Sequence, residues 1–331
     1  MRYRGLGDSG LQVSEISLGS WLTLGSGVDR AASRALVLEA FELGINLFDT
    51  ADVYAEGEAE RVLGSALAEL PRERVVVASK CFFPSAENPD ARGLSRKHVM
   101  ESVAGSLRRL GTDYIDLYQC HRADPGTPIE ETVDAFSDLI RQGRLRHWGV
   151  SLWSAAQIEE ACQVAEARQG YAPISNQPQY SLLRREIEAE ILPACRRLGV
   201  GQLAWSPLAQ GVLSGKYAAG VPANSRAADA FRGQFMRDFL GDETRARVEE
   251  LRAVAADAQL GVAALALAWC LRDPGISSLI VGATRSEQLV ENVSASGQQL
   301  PEEILGRLDA LFPIAADPTP ESPAQPGLDD G

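Results

Sequence analysis

The stretch INLFDTADVY, residues 45–54, decides the fold: a short apolar run, INLFD, stops at Asp49, and a polar loop carries the chain on to Tyr54. The same grammar recurs downstream, where VVVASK (75–80) stops at Lys80 and YIDLYQCH (114–121) stops at His121. Outward from these segments, short β-branched runs alternate with longer segments of helical period, the signature of repeated βα units around a parallel sheet. Eight units are counted, with strands beginning near Ile16, Asn46, Val75, Tyr114, His147, Ser175, Gly201 and Ser277. Between Ser95 and Leu110 the residues Val99, Val103, Leu107 and Leu110 share one helical face, with Ser95 as N-cap and Gly111 as the stop. Gly44, Gly143 and Gly199 are expected to end helices in the same way. Val133, Phe136 and Ile140 form a further apolar stripe, and Ile187, Ile191, Ala194 and Leu198 another, with Pro193 expected to kink that helix. Eight βα units favour a closed (β/α)8 TIM barrel, an α/β fold, over an open doubly wound sheet. The expected organisation is one barrel domain over residues 1–312.

Three segments stand outside the eightfold pattern. GLGDSG (5–10) matches the glycine-rich dinucleotide fingerprint, but that motif needs a strand before it and a helix after it, and LQVSEISL follows. An N-terminal β-hairpin with its turn at Asp8-Ser9-Gly10 is the expected structure there. Residues 209–241, after the seventh strand, form a long Gly- and Ala-rich insertion; loops of that length are uncommon unless functional, so it is expected to fold over a ligand. The stretch from 313 to 331 is rich in proline and without periodicity, and reads as a disordered tail.

The 331 residues are 45% hydrophobic, ample for a large core, and their formal net charge of −13 opposes binding to phosphate backbones or anionic lipid. No nucleic-acid partner and no membrane association are expected. The five cysteines are scattered, without a CxxC pair or histidines at ligand spacing, so they read as reduced thiols with no metal site. MRYRGLGDSG lacks a signal-peptide apolar stretch and no run of about 18 apolar residues occurs, which makes a cytoplasmic location the expectation.

In a parallel barrel the C-terminal strand ends carry the chemistry. Three successive ends deliver Asp49 (with Tyr54 in its loop), Lys80 and His121 to one rim, a constellation suited to reducing a carbonyl. Hydride arriving at the carbonyl carbon leaves negative charge on oxygen, which needs a proton donor in reach. Tyr54 supplies the proton. Its ordinary pKa near 10 is high for that task, and an adjacent cation, Lys80, is expected to lower it by about 1–3 units. Lys80 in turn needs a carboxylate partner, Asp49, while His121 orients the carbonyl oxygen. A rival reading makes Lys80 the nucleophile of a Schiff-base aldolase, but a nucleophilic lysine must be neutral, and Asp49 opposes that.

FDTADVY, VVVASK, DLYQCH, GVSLWS, LAWSPLAQGVLSGKY and VGATRSEQLVEN together resemble the aldo-keto reductase superfamily, in the same order and spacing, across nearly the whole chain. SLGSWLTLG, RGLSRKH, TPIEETV and SGKY resemble the branch holding the voltage-gated potassium-channel β-subunits and related bacterial aldehyde reductases. The resemblance implies that Asp49, Tyr54, Lys80 and His121 are the catalytic four. Channel subunits of that branch carry asparagine where His121 stands, so this chain is closer to the enzymes; a redox-sensing, nicotinamide-binding partner protein with slow turnover is the alternative.

The resemblance also implies a nicotinamide dinucleotide across the barrel mouth. Gly19, Ser20, Trp21 and Asp49 would border the nicotinamide, Ser151 and Gln177 would hold its carboxamide, and Trp205 offers an aromatic face. GVSLWS departs from the commoner family form, which has asparagine after the serine, so Leu152 contributes only backbone. Ser206, Pro207 and Leu208 would carry the pyrophosphate beneath Gly211 and Lys216, and Gly282, Thr284, Gln288, Glu291 and Asn292 the adenosine, at a helix N-terminus suited to anions. Lys216 and Arg226 match positions contacting a 2′-phosphate, with Arg285 beside them, which selects NADPH. Trp21, Tyr54, Phe82, Phe83, His121, Arg122 and Trp153 are the candidate substrate contacts, fitting a small or aromatic aldehyde. A homo-oligomer is consistent with the same resemblance.

Overall fold

In the computed structural model, which describes residues 1–84, 90–218, 220–223 and 225–314, two short strands precede eight that close on themselves. Strands β1 (Tyr3–Gly5) and β2 (Gln12–Ser14) form an antiparallel hairpin. The barrel strands are β3 (Ile16–Gly19), β4 (Leu47–Asp49), β5 (Val76–Cys81), β6 (Ile115–Cys120), β7 (Leu145–Ser151), β8 (Ser175–Gln177), β9 (Gly201–Trp205) and β10 (Ile276–Val281). All pair in parallel in chain order, and β10 returns to β3 to remove both edges. Each begins within two residues of the start read from the sequence. The tail read at 313–331 lies outside the described residues from 315 onward.

Alternation along the strands divides the core in two. Leu47, Val76, Ala78, Leu117, Leu203 and Ile280 face inward and pack with Leu6 and Val13 of the hairpin, so the hairpin stoppers one end of the barrel. Phe48, Val77, Cys81, Tyr118, Cys120, Trp148 and Val150 face outward into the larger cluster beneath the helices. Inward positions nearer the strand C-termini are polar, Asp49, Lys80 and Gln177 among them, and all are buried. The apolar floor and polar upper layer leave the C-terminal mouth as the place for chemistry.

The surrounding helices are α1 (Arg30–Glu42), α2 (Glu58–Leu67), α3 (Arg96–Leu110), α4 (Ile129–Arg141), α5 (Ala155–Ala167), α6 (Ile191–Leu198), α7 (Asp242–Asp257), α8 (Val262–Cys270), α9 (Ser286–Val293) and α10 (Glu302–Leu311). Helix α3 starts where Ser95 Oγ accepts from the His98 N–H and stops at left-handed Gly111, as its sequence requires. Among the described residues no single helix is long and apolar enough to cross a membrane.

Two local expectations are corrected. Pro193 does not kink α6: Ile187 belongs to a separate 3₁₀ turn, the helix starts at Ile191, and Pro193 falls in its first turn, where no intrahelical N–H bond is lost. The hairpin turn centres on Gly7-Asp8, closed by the Ser9 N–H on Leu6 O at 3.3 Å. Gly7 has φ +57° and a Cβ there would lie 2.1 Å from Gly199 O, so glycine is obligatory for close docking. The Asp8 N–H donates to that same Gly199 carbonyl at 2.8 Å, so the glycine-rich segment serves packing against the end of α6.

Candidate active site

Asp49 ends β4, Lys80 is the penultimate residue of β5, and His121 follows β6 directly. Lys80 is wholly buried; its Nζ donates to Asp49 Oδ1 at 2.6 Å and to Thr50 O at 2.7 Å, and stands 3.4 Å from Tyr54 Oη. Asp49 Oδ2 accepts from Gln177 Nε2 at 2.8 Å, so β4, β5 and β8 are tied at one level. The rings of Tyr54 and His121 meet edge-on at 5.6 Å between centroids, and Phe83 meets His121 at 5.0 Å. The four side chains singled out from three strand ends therefore converge.

The backbone that places them is strained. Among the described residues nine non-glycine positions adopt positive φ; two of them, Gln169 and Gln259, terminate α5 and α7. The other seven, Leu22, Ala55, Glu56, Leu152, Ser206, Ala209 and Gln210, all lie in segments that leave barrel strands at the mouth. Ala55, Glu56 and Gly57 are three left-handed residues in succession, turning the chain sharply between Tyr54 and α2. Each such residue costs on the order of 1–3 kcal/mol and persists only where surrounding packing enforces it.

Electrostatics sharpen the picture. Burial would strip Lys80 of its proton, but the Asp49 carboxylate, helped by Tyr54, outweighs burial and the ammonium is held above its ordinary range. Burial raises the Tyr54 phenol; Lys80 pulls it back only partly, and Asp49 raises it further. The lowered value expected from the lysine alone is thus corrected: the phenol stays firmly protonated. Burial, then Lys80 and Arg122, push the His121 imidazole well below its usual range, so its ring is neutral. Behind the four, Asp52 is buried with both carboxyl oxygens lacking a hydrogen-bond partner among the described residues. Burial and the neighbouring Glu60 raise it well above the usual carboxylate range.

A cleft of about 910 Å³ opens above this layer, within the size range of ligand sites. It is lined by Gly19, Trp21, Asp49, Tyr54, His121, Ser151, Gln177, Trp205, Ser206, Pro207, Leu208, Gly211, Lys216, Arg226, Gly282, Thr284, Gln288, Glu291 and Asn292. Ser20, Lys80, Phe82 and Trp153, also singled out from the sequence, are buried behind that lining, Ser20 with its hydroxyl on Thr50 Oγ1 at 2.9 Å. The insertion after β9 does fold over the cleft, contributing Pro222, Ala223, Ser225, Arg226, Ala228, Asp229 and Arg232.

The far end of the cleft fits an anion. Burial lowers Lys216, and Arg226 and Arg285 lower it further, the mark of crowded cations. Among the described residues neither Lys216 nor Arg226 has a carboxylate ion-pair partner, whereas Arg285 lies 4.0 Å from Glu287. A Cβ at Gly211 would come within 2.9 Å of Lys216 Nζ, so the glycine lets the ammonium lie against the loop. Sequence reasoning missed Gln210, whose Nε2 donates to Ser206 Oγ at 2.7 Å while its Oε1 accepts from Arg226, linking the strand-end loop to the insertion. No spacing signals that bridge, because it depends on Gln210 being left-handed. Leu22, Thr23 and Arg232 were likewise missed as lining residues.

The model of the aldo/keto reductase family matches residues 15–312. A rice (Oryza sativa subsp. japonica) protein named "Probable voltage-gated potassium channel subunit beta" is 43% identical over 317 residues, covering 94% of this chain and 96% of the relative. An Arabidopsis thaliana protein of the same name is 42% identical over 300 residues, covering 89% and 91%.

Proposed function

Because the chain belongs to the aldo/keto reductase family of nicotinamide-dependent oxidoreductases, we propose that it reduces aldehydes or ketones to alcohols with NADPH, using Tyr54 as the general acid. The observation that carries the reading is the contact set of Lys80: one buried ammonium bonded to Asp49 and 3.4 Å from the Tyr54 hydroxyl. A bound nicotinamide supplies a hydride to the carbonyl carbon. Tyr54 donates its proton to the carbonyl oxygen as charge develops there, and Lys80 stabilises the phenolate left behind. Its field matters only once that phenolate forms, which is why the resting phenol can stay protonated without loss of function. A neutral His121 offers one N–H toward the substrate oxygen without adding a charge. Lys216 and Arg226 would hold the 2′-phosphate of the dinucleotide, in the cleft that the insertion helps to line.

A charged, carboxylate-paired Lys80 is a poor amine nucleophile, which counts against an aldolase. The names of the relatives favour one second reading, a nicotinamide-binding partner subunit with slow turnover; His121 at the mouth supports turnover instead. The test is Tyr54→Phe. Steady-state reduction of a carbonyl panel is expected to fall nearly to zero while NADPH affinity, read by fluorescence titration, stays within about twofold. A variant that keeps most of its turnover removes Tyr54 from the role of acid.

A further inference from the structure

Behind the four converging side chains, on the outer side of the barrel wall, lies a buried charged cluster that the proposed chemistry does not use. Glu60, in the first turn of α2, is completely buried. Its Oε1 accepts from Ser79 Oγ at 2.6 Å and its Oε2 from Arg109 Nε at 2.5 Å. Ser79 directly precedes Lys80 on β5, and because successive side chains on a strand point to opposite faces, it looks outward while Lys80 looks into the barrel. Arg109 comes from the last turn of α3. One carboxylate therefore joins three carriers: the strand that holds Lys80, the helix that follows Tyr54, and α3.

The same guanidinium borders the turn between Tyr54 and α2. A Cβ at Gly57, the third left-handed residue after Tyr54 at φ +81°, would stand 2.7 Å from Arg109 Cδ and 2.9 Å from its Nε. The turn thus rests on the Arg109 side chain, with no room to move toward it. Its other end is fixed by the strand, since the Asp52 N–H donates to Lys80 O at 3.2 Å. Helices α2 and α3 are themselves closely docked: a Cβ at Gly64 would lie 2.2 Å from Leu110 O. The segment carrying Tyr54 is held at both ends by groups that belong to β5 and α3.

Stability alone does not account for this cluster. Glu60 has lost all contact with water, and a buried ion pair is often matched or exceeded in stability by apolar side chains of similar volume. What the charged pair adds is direction, because a planar guanidinium and a carboxylate hold their partners at defined angles. We propose that Glu60 and Arg109 are positioning residues for the reduction, setting the Tyr54 hydroxyl against Lys80 from outside the barrel. The proposal rests on the reading of Tyr54 as the acid. Both residues lie outside the cleft lining, so they act through Ser79 and through the turn at Gly57.

The test times single-turnover carbonyl reduction in NADPH-loaded protein, with carbonyl half-saturation, NADPH affinity and the urea midpoint recorded for each variant. Glu60→Asp keeps the charge but is one methylene too short to hold Ser79 and Arg109 together. The double variant Glu60→Gln/Arg109→Ala removes both charges and the brace against Gly57. Misplacing a reacting group by about 1 Å can cost about a hundredfold, so each should slow the single turnover about tenfold or more. NADPH affinity and carbonyl half-saturation should change far less than the rate, and Arg109→Lys, which keeps a cation and much of the bulk, should slow it less. Either variant, once shown to be folded, overturns the proposal if it runs within about threefold of the intact rate. A loss of rate matched by an equal loss of NADPH affinity also overturns it, since that marks a general loosening of the barrel. Intact protein that binds NADPH but reduces no carbonyl overturns the reductase reading itself, and the positioning roles with it.

Discussion

Replacing Lys80 by methionine should destabilise the protein far more than a surface lysine would, because it strands a charge. The Asp49 side chain is buried and accepts two hydrogen bonds from side chains, one from Lys80 and one from Gln177. Without the ammonium, a carboxylate is left inside the barrel with one neutral donor. Breaking one partner of a buried ion pair costs about 3–5 kcal/mol, against a total stability of roughly 5–15 kcal/mol for ordinary domains. Asp49→Asn in the same molecule removes the stranded charge and leaves a group of nearly the same shape. The double variant should therefore recover about 2 kcal/mol or more of the loss, a non-additivity expected of residues in direct contact. Urea unfolding followed by circular dichroism and tryptophan fluorescence provides the cycle, with coincident transitions as the check that unfolding is two-state. Since Lys80 is held above its ordinary pKa of 10.5, its contribution is complete below that pH and disappears only as pH rises through the higher folded-state value. Carbonyl reduction should stay low in both variants, which separates the stability of the pair from its chemistry. A single substitution costing under about 1 kcal/mol, or a double variant equal to the sum of the singles, would refute the charged buried pair.

Three further outcomes follow from the same geometry. Lys216→Ala and Arg226→Ala should each weaken NADPH by about 1.5–3 kcal/mol and NADH much less, since a charge-assisted bond to the 2′-phosphate is lost; equal losses for both cofactors would dismiss the NADPH assignment. His121→Asn should slow a single turnover in enzyme pre-loaded with NADPH, because one donor survives but the imidazole is gone. It should also flatten the acid limb of stability: His121 is depressed well below 6.5, so on acidification the unfolded chain takes up a proton that the folded one refuses, and stability falls from about pH 6.5 downward. Leu152 has φ +55°, and Leu152→Asn, a residue that tolerates this conformation, should raise the thermal midpoint by relieving about 1 kcal/mol of strain.

The strands β4, β5 and β6 and the residues at their ends were legible because each is an apolar run closed by an ionisable residue. INLFD, VVVASK and YIDLYQCH needed no tertiary information to be ordered, and they placed Asp49, Lys80 and His121 on one rim. Tyr54 was legible in position but not in acidity. Lys80 lowers it as expected, yet burial outweighs that pull, and the depth of burial comes from Trp21 and residues distant in the chain. Pro193 misled because a proline within an apolar stripe marks a kink or a first turn alike, and only the actual start of α6 at Ile191 decides between them. The insertion was legible as a segment but not residue by residue, since Gln210, Phe231 and Arg232 follow no period.

What stayed hidden lies mostly where the chain departs from local preference. Leu22, Ala55, Glu56, Leu152, Ser206, Ala209 and Gln210 each adopt a left-handed backbone that their side chains disfavour, and each borders the mouth. Propensity and pattern describe what a segment prefers alone, so they fail where packing overrides preference, and functional sites are where proteins tolerate that conflict. The barrel supplies the means. Its eight closed strands and stoppered floor are stable enough to hold several residues at about 1–3 kcal/mol of strain each. If the conflict serves the site, relieving it should separate stability from activity: Ala55→Gly, which accepts φ +49° without penalty, should leave the fold at least as stable while loosening the turn that aims Tyr54. Unchanged kcat in a stabilised Ala55→Gly protein would mean that Lys80 and the packing of Trp21 against Tyr54 position the hydroxyl, and that the three-residue left-handed turn is a by-product of joining β4 to α2.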